Sequence, residues 1–170
     1  MNINVKKLAV SGMLAAVAVA MSGFAIPIGA SKCFPIQHLC NVIAGIFLGP
    51  GYGVAMAFCT SLVRNLIGTG SLLAFPGSMV GAFLCGWLYQ KTGKKAAAYF
   101  GEVFGTGILG GILCCPVAVL LMGKEAALFA YVVPFLMSTA CGTVIAVILV
   151  GALEKSGAFQ YLGHILAAEQ

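Results

Sequence analysis

Arg64 is the only arginine of the 170 residues, and it stands just before a polar, glycine-rich turn, Asn65-Leu66-Ile67-Gly68-Thr69-Gly70-Ser71, between two long apolar runs. A guanidinium at membrane depth costs a few kcal/mol on insertion scales, so it normally faces a protein interior, a partner or a water-filled cavity rather than lipid. Asn65 and Thr69 are four apart beside it, and Thr69 and Ser71 leave two hydroxyls in a turn that glycines keep open. The bland alternative is an arginine that snorkels outward as an interfacial anchor.

A second polar group lies upstream. His38 and Asn41 are three apart and Gln37 and Asn41 four apart, so all three project from one side of a helical turn. Before them Pro27, Gly29, Ser31, Lys32 and Pro35 break the chain, leaving Cys33 to His38 as a loop with Phe34 at its centre, able to act as a lid. Tyr131, Ser138 and Thr139 add hydroxyls in the last long apolar run. Polar groups converging in an apolar surround are what binding a small polar molecule requires. Catalysis lacks its parts: no HExxH, GxSxG or P-loop pattern occurs and no paired carboxylates share a face, so neither an enzyme nor a bound cofactor is expected.

The elements that must position these residues follow from composition. With 61% hydrophobic residues, 8% charged and a mean hydropathy of +1.08, against roughly a quarter charged in soluble domains, the chain reads as an integral membrane protein. A span needs roughly 20 apolar residues, which predicts one all-α bundle of six transmembrane helices over residues 8–28, 36–48, 52–67, 72–89, 96–122 and 126–153. The net charge of +5 does not point to nucleic acid, because the lysines sit at the ends of apolar runs. Lys6, Lys7, Lys91, Lys94, Lys95 and Lys155 fall on one side against Lys32 and Lys124 on the other, which places both termini in the cytoplasm. The seven cysteines show no zinc-site spacing and read as small packing residues; only Cys33 and Cys40 lie near enough an outer loop to suggest a disulfide.

Gly12, Ala16 and Ala20 form a stripe of small residues on the first helix. It serves either packing within the bundle or docking on a partner. The fifth helix carries Gly101, Gly105, Gly107, Gly110 and Gly111, which let a neighbouring backbone come close, and Pro116, which predicts a kink. Glu102 has two readings: a carboxylate favoured by the helix N-terminus and Lys95, or a buried partner for something polar within the bundle. Residues 159–170 suggest a short surface helix with a weak amphipathic pattern.

These residues carry a family resemblance. Phe34-Pro35-Ile36-Gln37-His38, Asn41-Val42-Ile43-Ala44, Leu48-Gly49-Pro50, Arg64-Asn65-Leu66-Ile67-Gly68-Thr69-Gly70 and Ala74-Phe75-Pro76-Gly77-Ser78 resemble the ThiW family of substrate-binding S-components of energy-coupling factor (ECF) transporters. The resemblance implies a multi-pass protein of a prokaryotic plasma membrane that takes up a thiamine precursor, hydroxyethylthiazole. It implies as partners a transmembrane coupling protein and two ATPase subunits, with the Gly12, Ala16 and Ala20 stripe as the docking surface. The S-component pattern has alanines at such spacing, and Gly12 departs from it. A small neutral thiazole needs an aromatic slot, for which Phe34, Phe75 and Tyr131 are candidates, and a few hydrogen bonds. Arg64 is more than that ligand demands, so it either holds the turn or recognises an acidic relative. A stand-alone carrier or channel, which would call for inverted repeats or an ionisable relay, and a ligand-free structural protein are the competing readings.

Overall fold

The computed structural model describes residues 4–28, 31–123, 125 and 127–167. In chain order these form α1 (Val5–Ala20), a short 3-10 turn (Met21–Gly23), the strands β1 (Ile26–Ile28) and β2 (Ser31–Cys33), α2 (Pro35–Phe47), α3 (Pro50–Leu66) and α4 (Ala74–Thr92). There follow α5 (Lys95–Glu102), a π-helical segment (Val103–Gly110), α6 (Gly111–Met122), α7 (Val132–Lys155) and α8 (Ala158–Ala167). Because α5, the π segment and α6 run on as one rod, Lys95–Met122, three rods among the described residues are long and apolar enough to cross a bilayer: this one, Val5–Gly23 and Val132–Lys155. The shorter α2 is apolar too. Large apolar side chains such as Leu66, Phe100, Leu120 and Ile148 stand exposed on the outside, the surface a lipid-embedded bundle presents.

Prolines account for most differences from the expected boundaries. Proline is best tolerated in a helix's first turn, where its missing N–H has no partner to lose. Accordingly α4 starts at Ala74, two residues before Pro76, rather than at position 72, and α7 starts at Val132, two before Pro134, rather than at position 126. The first helix, expected to reach position 28, stops at Ala20; Pro27 instead pairs in an antiparallel hairpin with Ile26 opposite Cys33. The expected loop before the second helix shrinks to Phe34, because Pro35 is already the first residue of α2. Gly29 and Lys124 fall outside the described residues. Pro116 lies inside α6, while the irregular winding sits earlier, in the π segment next to Glu102, a type of bulge that locally displaces the backbone ladder. Cys33 and Cys40 are both buried free thiols, so the candidate disulfide is not formed.

The core is built on glycine contacts rather than on large side chains. A methyl group at Gly105 would fall 2.8 Å from Gly81 Cα, and one at Gly101 2.7 Å from the Leu84 carbonyl oxygen, so α4 and the 95–122 rod meet backbone to backbone. At the opposite edge Gly49, with φ +88°, makes the sharp turn from α2 into α3. Two apolar clusters flank this seam. One gathers Ala18, Cys40, Ala44, Leu48, Met56 and Leu166, the other Val42, Ile46, Cys85, Ala98, Ala146 and Val150. Leu166 brings α8 onto the bundle, and the Phe159 ring rests 4.9 Å from Phe47. The terminal helix is thus packed on its apolar side.

Candidate functional site

Arg64 sits in the last turn of α3 and is only 2% exposed, which rules out the snorkelling anchor. One guanidinium nitrogen donates to Gln37 Oε1, another donates to the Thr69 carbonyl at 3.2 Å, and the guanidinium carbon lies 4.0 Å from the centre of the Phe34 ring. The Arg64 carbonyl in turn accepts from Thr69 N and Gly70 N, both at 2.9 Å. Gly68 makes this closure possible with φ +77°, where a side chain would be strained. Hydrogen bonds to a charged group contribute roughly 1.5–3 kcal/mol each. Two of them plus the stacked ring offset the several kcal/mol that burying a guanidinium costs.

Asn65 braces the same turn from outside, donating to the Ser61 carbonyl at 2.8 Å and the Ser71 carbonyl at 3.0 Å. Ser22, just after α1, donates to Thr69 Oγ1 at 3.0 Å. The end of α1, the turn after α3 and the start of α2 are therefore tied together through Thr69, Arg64 and Gln37.

Beneath this layer lies a second, centred on Glu102. This carboxylate is fully buried, and its Oε1 lies 2.9 Å from His38 Nδ1, 3.0 Å from Asn41 Nδ2 and 3.1 Å from Thr106 Oγ1. Asn41 Nδ2 also reaches Ser78 Oγ at 3.2 Å, and Gln37 Nε2 donates to that hydroxyl at 2.9 Å. The two layers form one network spanning α2, α3, α4 and the 95–122 rod. Glu102 is thus the buried partner of polar groups, not the carboxylate of a helix start facing Lys95; Lys95 pairs instead with Glu154 of α7.

Between this network and the beginning of α7 lies a cavity of about 620 Å³. Eight expected site residues line it: Phe34, Gln37 and His38 from the start of α2 and just before it, Arg64, Thr69 and Ser71 from the end of α3 and the turn after it, and Tyr131 and Ser138 from the beginning of α7. Ser138 Oγ also accepts from the Phe34 backbone N–H at 2.9 Å, fixing the aromatic wall to α7. Three expected site residues do not line it. Asn41 lies one step below the floor, Asn65 is used up in bracing the turn, and Phe75 packs on Phe58, ring centres 5.5 Å apart, on the exposed side of α3. Thr139, buried, donates to the Glu102 carbonyl at 3.4 Å.

Ser78, which lines the cavity, and Glu102, buried beneath it, are the residues that the sequence expectation did not place in the site. The signal for Glu102 was its charge inside a long apolar run, which membrane burial makes costly unless it has polar partners. No group of His, Cys, Asp and Glu side chains suited to a metal ion occurs among the described residues. The remaining expected surface, Gly12, Ala16 and Ala20, is exposed on the outer face of α1, where a methyl group at Gly12 would meet nothing within 4 Å. Packing of this stripe within its own bundle is therefore excluded, since α1 faces inward through Val10, Leu14, Ala15 and Ala18.

An aromatic wall and a polar floor inside an apolar helical bundle are the features that small-molecule sites share. The family model of the thiamine-precursor transporter protein ThiW matches residues 8–156. The chain belongs to the ThiW family. No curated protein matches the sequence. As a ThiW-family chain it is a membrane transport protein for a thiamine precursor, and its cavity, aromatic wall and buried network are features to be read in that light.

Proposed function

We propose that this ThiW-family chain is the substrate-binding subunit of an ATP-driven ECF-type importer in a prokaryotic plasma membrane, with hydroxyethylthiazole as its ligand. The observation that carries the reading is the cavity floor. Arg64 directs two guanidinium nitrogens at Gln37 and Thr69 and its face at Phe34, while its Nε lies buried without a hydrogen-bond partner, so most of the group serves the architecture rather than an acidic ligand. What remains for a guest is an aromatic wall and neutral donors and acceptors, which suit a small uncharged heterocycle bearing one hydroxyl.

In this reading the chain crosses the membrane six times with both termini in the cytoplasm, α2 and α3 being short crossings and α4 a crossing of 19 residues. Phe34, Gln37, His38, Thr69, Ser71, Tyr131 and Ser138 contact the ligand, and Asn41 acts from beneath. The open stripe Gly12, Ala16 and Ala20 docks on the transmembrane coupling protein, which carries two ATPase subunits. The test is calorimetric titration of the purified protein with hydroxyethylthiazole, thiamine and the pyrimidine precursor. Saturable binding of the thiazole in preference to the other two is expected; preference for the pyrimidine or for whole thiamine would reassign the ligand, and no binding of any would favour a ligand-free role.

A further inference from the structure

We propose that Glu102 fixes the His38 proton on Nδ1, so that the bare Nε2 serves the cavity as the acceptor for a ligand hydroxyl. The proposal rests on the reading of the cavity as a ligand site and names the contact that selects the ligand's alcohol group.

The neighbours of Glu102 fix which atom holds the proton. Asn41 Nδ2 and Thr106 Oγ1 both approach Glu102 Oε1, at 3.0 and 3.1 Å. The Asn41 orientation is set independently, because the same nitrogen faces the Ser78 carbonyl at 3.3 Å, which only an N–H satisfies. An oxygen on which two donors converge is an acceptor, so the hydrogen between it and His38 Nδ1, 2.9 Å away, belongs to the imidazole. In a neutral imidazole protonated at Nδ1 the other nitrogen carries the lone pair.

His38 lines the cavity, and with Nδ1 committed to Glu102 the only polar atom it has left to offer there is Nε2. The neighbouring cationic group, Arg64, supplies donors only. An alcohol placed against His38 thus finds an acceptor that no rotation of the ring can turn into a donor without breaking the bond to Glu102. Glu102 itself does not reach the cavity; it is a positioning residue that acts through His38, in the way outer-shell carboxylates orient imidazoles elsewhere. A site that accepts a hydroxyl in this manner rejects an analogue lacking it, because a buried polar atom is left unpaired.

The experiment compares hydroxyethylthiazole with its deoxy analogue, the same ring bearing ethyl in place of hydroxyethyl, by calorimetry on the full chain and on His38→Asn. Asparagine keeps an N–H within reach of Glu102 and removes Nε2. In the wild-type protein the deoxy analogue is expected to bind on the order of ten-fold more weakly, and in His38→Asn both ligands are expected to bind with equal, weakened affinity. Hydroxyl discrimination that survives in His38→Asn, or is absent from the wild type, overturns the proposal alone. Failure of the wild type to bind either thiazole overturns the ligand reading and the proposal with it. A ligand-independent arm uses 15N-histidine NMR in a His164→Gln background, which leaves His38 as the single imidazole. A protonated Nδ1 and bare Nε2 are expected, and a proton on Nε2 would overturn the assignment. Glu102→Leu, where it folds, is expected to release the tautomer and abolish the discrimination; the other two arms decide the matter where it does not.

Discussion

Arg64 is held by neutral partners, a side-chain amide, a backbone carbonyl and an aromatic face, and the geometry of those contacts uses the guanidinium as a flat two-sided fork. A lysine ammonium carries its charge at a point and cannot donate in two fixed directions while stacking on Phe34. Arg64→Lys is therefore expected to lower stability by about 1–3 kcal/mol, seen as a lower melting temperature in detergent, even though the charge is kept. An unchanged melting temperature would mean that the turn after α3 is held by its backbone bonds alone. The role of Arg64 as an interior residue was legible in the sequence, because a lone arginine between apolar runs has few places to go. Its choice of partners was not. Gln37 is 27 residues away, and only the packing of α2 on α3 brings the two together. Glu102 shows the same limit more sharply, since its alternatives, a helix-start carboxylate and a buried partner, differ only by tertiary contacts that a linear sequence does not contain.

At the level of elements, the glycine seam between α4 and the 95–122 rod decides where the floor of the cavity lies. The four-residue spacing of Gly77 and Gly81, and of Gly101 and Gly105, was readable as a pair of smooth faces; that these two faces meet each other was not. The seam sets Glu102 against Asn41 and His38 of α2, because it leaves α4 too thin to separate them. Gly105→Val is expected to force the backbones apart, costing about 1–3 kcal/mol or more and weakening ligand binding along with stability. Gly12→Ala, on the open face of α1, is expected to leave stability within about 0.5 kcal/mol of wild type or to raise it slightly. Comparable losses from both substitutions would show that α1 packs more tightly than its exposure indicates. The boundaries of α4 and α7 were misplaced for a reason of the same local kind: a proline marks a helix start, and the apolar run upstream of Pro134 is turn rather than helix.

Across the whole molecule two surfaces lie apart. The cavity lies among α2, the turn after α3, and α7, whereas the small-residue stripe lies on the outer face of α1. Ala16→Trp is expected to block co-purification with a coupling protein and to leave thiazole affinity within about two-fold, a difference near the error of such measurements. A large loss of affinity with assembly intact would reverse this division. At the other end of the bundle the Lys95–Glu154 pair joins the start of the 95–122 rod to α7 and is capped by Phe159 of α8, whose ring lies 5.6 Å from the lysine nitrogen. That end is tied together by an ion pair and a ring contact, whereas the cavity lies beside the turn after α3. Ala74 lines that cavity at the first turn of α4, where a large side chain has the cavity itself to occupy. The decisive measurement is calorimetric titration of hydroxyethylthiazole into the wild-type protein and into Ala74→Trp, with melting temperatures recorded for both. Saturable one-to-one binding that the tryptophan abolishes at an unchanged melting temperature is the expected result; binding that survives a filled cavity, or no binding to the wild type, would contradict the account.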